Sequence, residues 1–255
     1  MLLCVDIGNT NIKIGVFDGD QLVQRWRLAT ERERLADEYA VLVSSLFSAA
    51  DLHINQITGC AISSVVPSLT DTFDEFSRRY LQLEPLILRH DTPIGMRIHT
   101  DYPAEVGPDL IANAFAARHL HGTPLIVIGF GTATTFVAVS KAGDFEGGAI
   151  APGLVTAGES LFRATATLPR VALSRPPTAV GKNTIRSLQA GLVFGFAGLV
   201  EALVKRIQPE LGGGAKVIAT GGLATLIAPE TQVIDVIEPD LALIGLRLIY
   251  EQVKQ

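Results

Sequence analysis

Two short glycine-containing turns carry residue types that suit phosphate binding. The segment DIGNTNIK covers residues 6–13 and the segment GFGTATTF covers residues 129–136, and each follows an apolar run. Glycine has no Cβ and tolerates unusual φ angles, so neighbouring backbone N–H groups can approach a phosphate, and threonine and asparagine add donors. The candidate phosphate ligands are Gly8, Asn9, Thr10, Asn11 and Lys13 in the first turn and Gly131 and Thr132 in the second.

A carboxylate and a third glycine turn extend this pattern. Asp6 lies at the end of a strand-like run beside the first turn, where it could hold Mg²⁺ directly or through water. The segment TGGLA places Gly221 and Gly222 between a strand and a helix, a position suited to adenosine or phosphate. A single turn of this kind is usually a tight hairpin, but three of them in one chain favour a site for a nucleoside triphosphate.

The first two turns belong to a longer repeat. Three strand-like runs at Met1–Ile7, Asn11–Phe17 and Gln21–Leu28 are matched in order by runs at Leu125–Gly129, Ala133–Val139 and Phe145–Ile150. The offset between Asp6 and Gly129 is 129 − 6 = 123 residues, close to half of the 255-residue chain. Chance likeness between two glycine-rich hairpins is the alternative. The repeat favours a duplication that produced two similar α/β domains facing each other, residues 1–122 and 123–255.

Helices and further strands connect these runs. The apolar spacing and the turn residues predict helices at 36–50, 68–81, within 105–121, and at 155–166, 183–207 and 241–253. Further strands are predicted at 57–66, 85–89 and 216–220. The helix at 183–207 contains Gly191, Gly195 and Gly198, which allow close approach of another helix from the same chain or from a second copy.

Composition narrows the classes of function. The net charge of −5 gives no electrostatic footprint for nucleic acid. The longest uncharged helical run, Ser187–Val200, is shorter than the ~18 to 20 residues of a membrane span and is expected to be a core or interface helix. The start of the chain has no basic segment typical of a signal peptide. Cys4 and Cys60 lie in apolar runs and are expected to be small buried hydrophobic residues, which suits a cytoplasmic protein.

The order of the motifs resembles that of the type III pantothenate kinases, members of the acetate and sugar kinase/Hsp70/actin superfamily. The matching segments are DIGNTNIKIGVFDGD, SSVVP, YPAEVGPDLIANA, GTATTF, GGAIAPGL, KNT and ATGGLA, and they run from Leu2 to about Tyr250. The resemblance implies duplicated ribonuclease H-like domains, each a mixed sheet flanked by helices, with a cleft between them. It also implies ATP-dependent phosphorylation of pantothenate to 4'-phosphopantothenate, the first step of coenzyme A biosynthesis, by a cytoplasmic homodimer.

The resemblance also implies roles for particular residues. The loop from Asp6 to Lys13 would bind the ATP phosphates and Mg²⁺, and Thr132 would contact ATP. The substrate segment would be Gly107, Pro108, Asp109 and Leu110, with Asp109 as the general base for the pantothenate hydroxyl. Thr184 would reach pantothenate from the neighbouring subunit. From the residues alone, Asp109 also suits a helix N-cap ahead of LIANAFAA, and both interpretations stay open.

Four positions depart from the family pattern. Thr100 stands where a substrate-binding tyrosine is expected, Leu110 replaces an arginine, and Val137 replaces an aspartate. Gly129 replaces an acidic ligand of the monovalent cation, K⁺ or NH₄⁺, that the resemblance implies. Leucine offers no donors where arginine offers five, and glycine could lend only its carbonyl to a cation.

Three hypotheses therefore remain at the level of the sequence. The first is a pantothenate kinase that uses ATP and Mg²⁺, with pantothenate and ATP as its small-molecule partners and neither nucleic acid nor a membrane involved. The second is a catalytically impaired, nucleotide-binding regulatory paralogue. The third is a kinase of a different small hydroxyl compound that keeps Asp6 and Asp109 but differs around Thr100 and Leu110.

Overall fold

The computed structural model of the chain describes residues 1–254, and these form two mixed five-stranded sheets flanked by helices. The first sheet contains β1 (Leu2–Ile7), β2 (Asn11–Asp18), β3 (Gln21–Ala29), β4 (Gly59–Ser64) and β5 (Leu86–Ile87). The second contains β6 (Leu125–Phe130), β7 (Ala133–Val139), β8 (Phe145–Pro152), β9 (Lys216–Thr220) and β10 (Val236–Ile237). The helices of the described residues are α1 (Ala36–Ala49), α2 (Pro67–Phe76), α3 (Pro108–His121), α4 (Leu154–Ala164), α5 (Thr184–Glu210), α6 (Ala224–Ile227) and α7 (Leu241–Lys254).

The two sheets have the same topology. The strand order is β3-β2-β1-β4-β5 in one sheet and β8-β7-β6-β9-β10 in the other. In each sheet the first three strands form an antiparallel meander, and the last two add in parallel. The predicted duplication is thus present in the backbone, and the predicted fold class of two mixed sheets flanked by helices is confirmed.

The chain divides into two compact units. The first unit comprises residues 1–96, 101–116 and 241–254, and the second comprises residues 97–100 and 117–240. The sequence-based boundary at 122/123 differs from this division because the last helix, α7, packs within the first unit. A Cβ on Gly15 would lie 3.0 Å from Leu243 Cδ1, and a Cβ on Gly245 would collide with the backbone of Ala112. The apolar face of α7 therefore packs on strands β1 and β2, which lie more than 200 residues earlier in the sequence.

The first unit has its main core on one face of the sheet. Leu3, Val5 and Ile7 of β1 point to this face and pack with aromatic residues of α1 and α2. Tyr39 and Phe73 are fully buried there, with ring centroids 4.6 Å apart. Alternation along β1 places Cys4 and Asp6 on the opposite face. The sheet thus presents a carboxylate on the face that does not carry the aromatic core.

The core of the second unit is built around α5. This helix is long and apolar enough to cross a membrane by length and composition alone. Its buried side chains, including Val193, Phe196 and Val200, pack with the apolar residues of β6 and β9. These contacts identify α5 as a core helix, as expected. Cβ atoms added to Gly191, Gly195 or Gly198 would meet no described atom within 4 Å, so these glycines do not serve contacts inside the chain.

Several boundaries differ from the sequence prediction. The helix predicted at 68–81 continues as α2 to Phe76 and then changes to a wider π-type turn at Ser77–Leu81. The predicted strand at 85–89 is reduced to the two residues of β5, and α6 and β10 were not predicted. Both cysteines are free and buried, as predicted, and burial raises the pKa of the Cys60 thiol to about 12.

Candidate active site

The first glycine turn, between β1 and β2, is held by hydrogen bonds from neighbouring residues. The Gly8 N–H donates to the Asn11 carbonyl at 3.0 Å, which closes the turn between β1 and β2. The Thr30 hydroxyl donates to the Gly8 carbonyl at 2.7 Å, and the Thr30 N–H donates to the Thr10 carbonyl at 3.1 Å. Asn9 and Thr10 remain exposed at the tip. Thr30 therefore fixes the backbone of the turn, and the exposed side chains at its tip are accessible to a ligand.

Asp6 lies among polar residues on the face of the first sheet that is opposite the aromatic core. Strand register places it directly beside Lys13 of β2 and Ser63 of β4. Asp6 is 6% exposed, and its Oδ2 lies 3.4 Å from Lys13 Nζ. Its Oδ1 is buried and has no hydrogen-bond partner, and the same holds for Ser63 Oγ. A buried carboxylate oxygen without a partner is a group that a ligand or cation can satisfy.

The donor set around Asp6 fits Mg²⁺. A carboxylate oxygen is a hard ligand of the kind Mg²⁺ prefers, and the orphaned Oδ1 is free to supply it. Among residues 1–254 no group of three or more His, Cys, Asp or Glu side chains could hold a metal on its own. Mg²⁺ usually binds through one or two carboxylates together with water and substrate phosphates. Asp6 suits that mode of binding.

Asp109 occupies the first turn of α3, one residue after Pro108. The helix begins at Pro108, so the backbone position before it is Gly107, and Asp109 is not the N-cap residue. Burial and the charge of Asp6 raise the pKa of Asp109 from 3.8 to about 6, against the lowering effects of Lys13 and of backbone N–H groups. A carboxyl group with a pKa near neutrality suits a general base.

Gly107 leaves room for the Asp109 carboxylate. A Cβ at position 107 would lie 2.5 Å from Asp109 Oδ1 and 3.6 Å from Val65 Cγ1. The side of Gly107 that a methyl group would fill is thus the side on which the carboxylate lies. A side chain at position 107 would displace the Asp109 carboxylate, so the glycine of the GPDL segment lets the acid lie beside the end of β4.

The second glycine turn, between β6 and β7, lies in the second unit and is fixed by its own set of hydrogen bonds. The Gly131 N–H donates to the Ala133 carbonyl at 3.0 Å, which closes the turn between β6 and β7. The Thr132 carbonyl accepts hydrogen bonds from the Gly153 N–H at 3.1 Å and from the Thr156 hydroxyl at 2.7 Å. Gly131 and Thr132 are both exposed. The beginning of α4 thus fixes the backbone of a turn whose outer surface is open.

The third glycine turn follows β9. Gly221 has φ +94°, in the region that favours glycine, and a Cβ there would collide with the Phe130 carbonyl oxygen. Gly222 is exposed. Only glycine allows this turn to pass so close to the end of β6, and the prediction that Gly221 and Gly222 contact the nucleotide stays a prediction.

The residues around Gly129 offer a monovalent cation only neutral oxygen atoms. Strand register places Gly129 beside Thr135 of β7 and Thr220 of β9, both neutral hydroxyl residues. A Cβ on Gly129 would lie 2.6 Å from Thr135 Oγ1. The Thr135 hydroxyl therefore lies where the side chain of an acidic residue at position 129 would begin. Val137, the other position where an aspartate was expected, is 2% exposed in the core. No anionic ligand for K⁺ or NH₄⁺ stands at either position.

The remaining predicted substrate residues are placed as follows. Thr100, in the second unit, is half-buried, and its Oγ1 is buried without a partner. Leu110 is half-buried in the first turn of α3, beside Asp109. Thr184 is exposed at the first position of α5, where the Asn183 side chain caps the helix by accepting from the Arg186 N–H at 2.9 Å.

The first unit brings the predicted chemical groups together. Asp6, Lys13 and Asp109 belong to one unit, and the charges of the first two both act on the pKa of the third. Two further polar residues of this unit, Ser63 and Asn113, have buried oxygen atoms without partners. Both lie in segments that match the family motifs, SSVVP and YPAEVGPDLIANA, but neither was predicted as a site residue. The spacing of Asn113 four residues after Asp109 on one helix was an available signal, whereas the pairing of Ser63 with Asp6 requires the strand register.

Comparisons with known proteins identify the family to which the sequence is similar. A family model described as type III pantothenate kinase matches residues 2–206. A type III pantothenate kinase of Roseiflexus sp. (strain RS-1) is 54% identical over 251 residues, covering 98% of this chain and 98% of that protein. That of Roseiflexus castenholzii is 52% identical over 255 residues, covering 100% of each.

A solved structure with the same fold is more distant in sequence. Component A of (R)-2-hydroxyglutaryl-CoA dehydratase from Acidaminococcus fermentans aligns with a TM-score of 0.61 at 14% identity, covering 100% of this chain and 99% of that one. This likeness concerns the fold alone. The family model and the two full-length relatives show more, and the chain belongs to the type III pantothenate kinase family.

Proposed function

We propose that this protein transfers the γ-phosphoryl group of ATP to the primary hydroxyl of pantothenate, giving 4'-phosphopantothenate and ADP. Membership in the type III pantothenate kinase family supports the reaction. The observation that carries it at the level of residues is Asp109, a half-buried acid at the start of α3 whose pKa is raised to about 6 in the same unit as Asp6 and Lys13.

Asp109 acts on the acceptor. Its carboxylate accepts the proton of the pantothenate hydroxyl as the hydroxyl oxygen forms a bond to the γ-phosphorus and the bond to the β,γ-bridging oxygen breaks. The carboxylate is deprotonated at pH 7 and above and basic enough to take the proton. Gly107 and the end of β4 hold it in place.

Asp6 and Lys13 act on the phosphate end of the nucleotide. Mg²⁺, when bound, neutralises charge on the phosphate oxygens. Asp6 would hold this ion with Oδ1, and Lys13, 37% exposed in its side chain, would turn from Asp6 toward a phosphate. The exposed Asn9 and Thr10 and the backbone of the first turn supply further donors. Gly131 and Thr132, like Gly221 and Gly222, are proposed nucleotide contacts on the basis of the family resemblance.

We propose that the reaction depends only weakly on a monovalent cation. Gly129, Thr135 and Thr220 provide no carboxylate for K⁺ or NH₄⁺, and only neutral oxygen atoms could coordinate either ion. This is a difference from what the family resemblance implied. Tetramethylammonium serves as the control ion, since it matches the ionic strength and cannot be coordinated.

The two other hypotheses from the sequence are not favoured. A regulatory paralogue without activity has no need of a basic, half-buried Asp109, and the full-length relatives are pantothenate kinases by name. A different acceptor has no support in the family match. Substrate contacts of Thr100, Pro108 and Leu110 stay proposals.

We also propose a homodimer that works in the cytoplasm without nucleic acid or membrane partners. The second unit exposes large apolar side chains at Ile150, Val155 and Ile185, and the glycine face of α5 is open. Large apolar side chains that stay exposed in the monomer are available for contact with a second copy of the chain. In the dimer, Thr184 of one subunit would reach the pantothenate site of the other.

The decisive experiment is a product assay with purified protein, Mg²⁺, ATP and pantothenate. Phosphopantothenate should form, and Asp109→Asn should lower kcat by a factor on the order of 10² to 10⁴ with little change in ATP affinity. Glu105→Gln is the matched control, because Glu105 is an exposed acid a few residues earlier in the same segment. Absence of product from wild-type protein that binds ATP would overturn the proposal, and product from other hydroxyl compounds only would change the acceptor.

A further inference from the structure

Ser63 has a buried hydroxyl whose partner is missing from the protein itself. The residue is 0% exposed, and no hydrogen bond satisfies its Oγ. It stands in β4 at the position that pairs with Asp6 in the parallel ladder. Paired residues on adjacent strands carry their side chains on the same face of the sheet, with the strands about 4.8 Å apart. The hydroxyl of Ser63 and the carboxylate of Asp6 are therefore neighbours.

Other serines of the first unit do not share this condition. Ser77 is also 0% exposed, and its hydroxyl donates to the Leu83 carbonyl at 3.0 Å. The Ser64 hydroxyl donates to the Val66 carbonyl at 3.1 Å and accepts from Thr70 at 2.8 Å. An unsatisfied buried hydroxyl costs stability, and an alanine would fill the position without that cost. Ser63 thus has a property that packing alone does not explain.

The two orphaned oxygens are chemically complementary, although they do not form a hydrogen bond with each other in this structure. Asp6 Oδ1 is an acceptor without a donor, and Ser63 is a donor without an acceptor. They sit beside each other, and Lys13 occupies the other oxygen of the same carboxylate. A carboxylate that binds a metal is normally oriented by a hydrogen bond from a neighbouring residue, and loss of that bond weakens metal binding.

We propose that Ser63 is a positioning residue for the metal–nucleotide complex: when Mg²⁺ is bound, its hydroxyl donates a hydrogen bond to the Asp6 carboxylate, through one water or after rotation of a side chain, and orients it toward the ion. The inference rests on the Mg–ATP part of the proposed function and is independent of the acceptor. Ser63 touches neither the transferred phosphoryl group nor pantothenate. It acts only through Asp6.

The test is metal binding in the absence of turnover. Mn²⁺ is titrated into wild-type protein and into Ser63→Ala, each saturated with a non-hydrolysable ATP analogue, and bound Mn²⁺ is followed by electron paramagnetic resonance. The Kd for Mn²⁺ should rise on the order of tenfold in Ser63→Ala. Ser63→Thr, which keeps the hydroxyl, should restore binding, since a threonine occupies the equivalent position, Thr220, of the second sheet.

Urea unfolding of the metal-free proteins supplies the second readout. Ser63→Ala should be as stable as wild type or more so, whereas Ser77→Ala, the matched buried serine, should be less stable and should bind Mn²⁺ as wild type does. Unchanged Mn²⁺ affinity in Ser63→Ala would overturn the inference, and so would a loss of stability equal to that of Ser77→Ala. If Mn²⁺ binding falls as expected but wild-type protein makes no phosphopantothenate, the inference stands and the proposed function fails.

Discussion

Replacing Asp109 by asparagine should make the free protein more stable while it removes the proposed general base. Burial and the charge of Asp6 raise the pKa of Asp109 from 3.8 to about 6, so ionisation of this group opposes folding. One pKa unit corresponds to about 1.4 kcal/mol, and the rise therefore amounts to at most ~3 kcal/mol. Asparagine keeps the shape and one acceptor oxygen. We expect a gain of about 1–3 kcal/mol in the free energy of unfolding at pH 7.5.

The pH dependence of this gain has a definite sign. Between pH 3.8 and about 6 the folded protein holds the Asp109 proton more tightly than the unfolded chain does, so stability falls as the pH rises through this range. Below the range both states are protonated and the destabilisation is absent. Above the range it is complete and constant. The difference between Asp109→Asn and wild type should thus be small at pH 4 and should reach a plateau above pH 6.5.

The assay is urea denaturation of both proteins, without nucleotide, at four pH values from 4 to 7.5. Subtracting one free energy of unfolding from the other at each pH removes the contributions of all other titrating groups, which the two proteins share. Glu105→Gln is the control and should change the free energy of unfolding by less than about 0.5 kcal/mol at every pH. A difference that does not vary with pH, or a wild type more stable than Asp109→Asn at pH 7.5, would refute the argument. Because a general base acts in its deprotonated form, kcat/KM should also rise with pH around the Asp109 pKa of about 6.

Three further predictions follow from glycine positions. Gly107→Ala should lower kcat about tenfold or more in steady-state assays, because its Cβ would lie 2.5 Å from Asp109 Oδ1, and an unchanged kcat would contradict this placement. Gly221→Ala should lower the free energy of unfolding by about 1–3 kcal/mol in urea, because φ is +94° and the Phe130 carbonyl oxygen blocks the Cβ. Gly198→Arg should convert the proposed homodimer to a monomer in sedimentation velocity experiments, and a dimer that persists in this variant would exclude the α5 face as its contact surface.

Local patterns were sufficient for much of the fold. The extents of β7 and β9 were predicted to the residue, since each strand is an apolar run that ends at a turn residue. The duplication was visible because two antiparallel meanders are built from contacts close in sequence. The helix α7 could not be assigned to its unit in this way. Its contact with Gly15 joins residues at opposite ends of the chain, and no local pattern encodes that pairing.

For the candidate site too, local sequence features were sufficient for some residues, and long-range contacts were needed for others. Asp6, Lys13 and Asp109 could be selected from residue type, turn chemistry and family resemblance. The raised pKa of Asp109 could not, because it depends on burial and on the distance to Asp6 in the folded unit. Ser63 was hidden for a similar reason. A parallel pairing between β1 and β4 spans more than fifty residues and leaves no period in the sequence.

The equal strand register of the two sheets shows how the halves have diverged after duplication. In one half, three adjacent strands carry the triplet Asp6, Lys13 and Ser63; in the other, the corresponding triplet is Gly129, Thr135 and Thr220. The hydroxyl on the parallel strand persists in both, and the ion pair persists in one. One half thus carries a charged pair at these positions, and the other carries uncharged residues at the equivalent positions of the same backbone. Exchange of side chains between equivalent positions would test whether the second sheet can accept the charged pair.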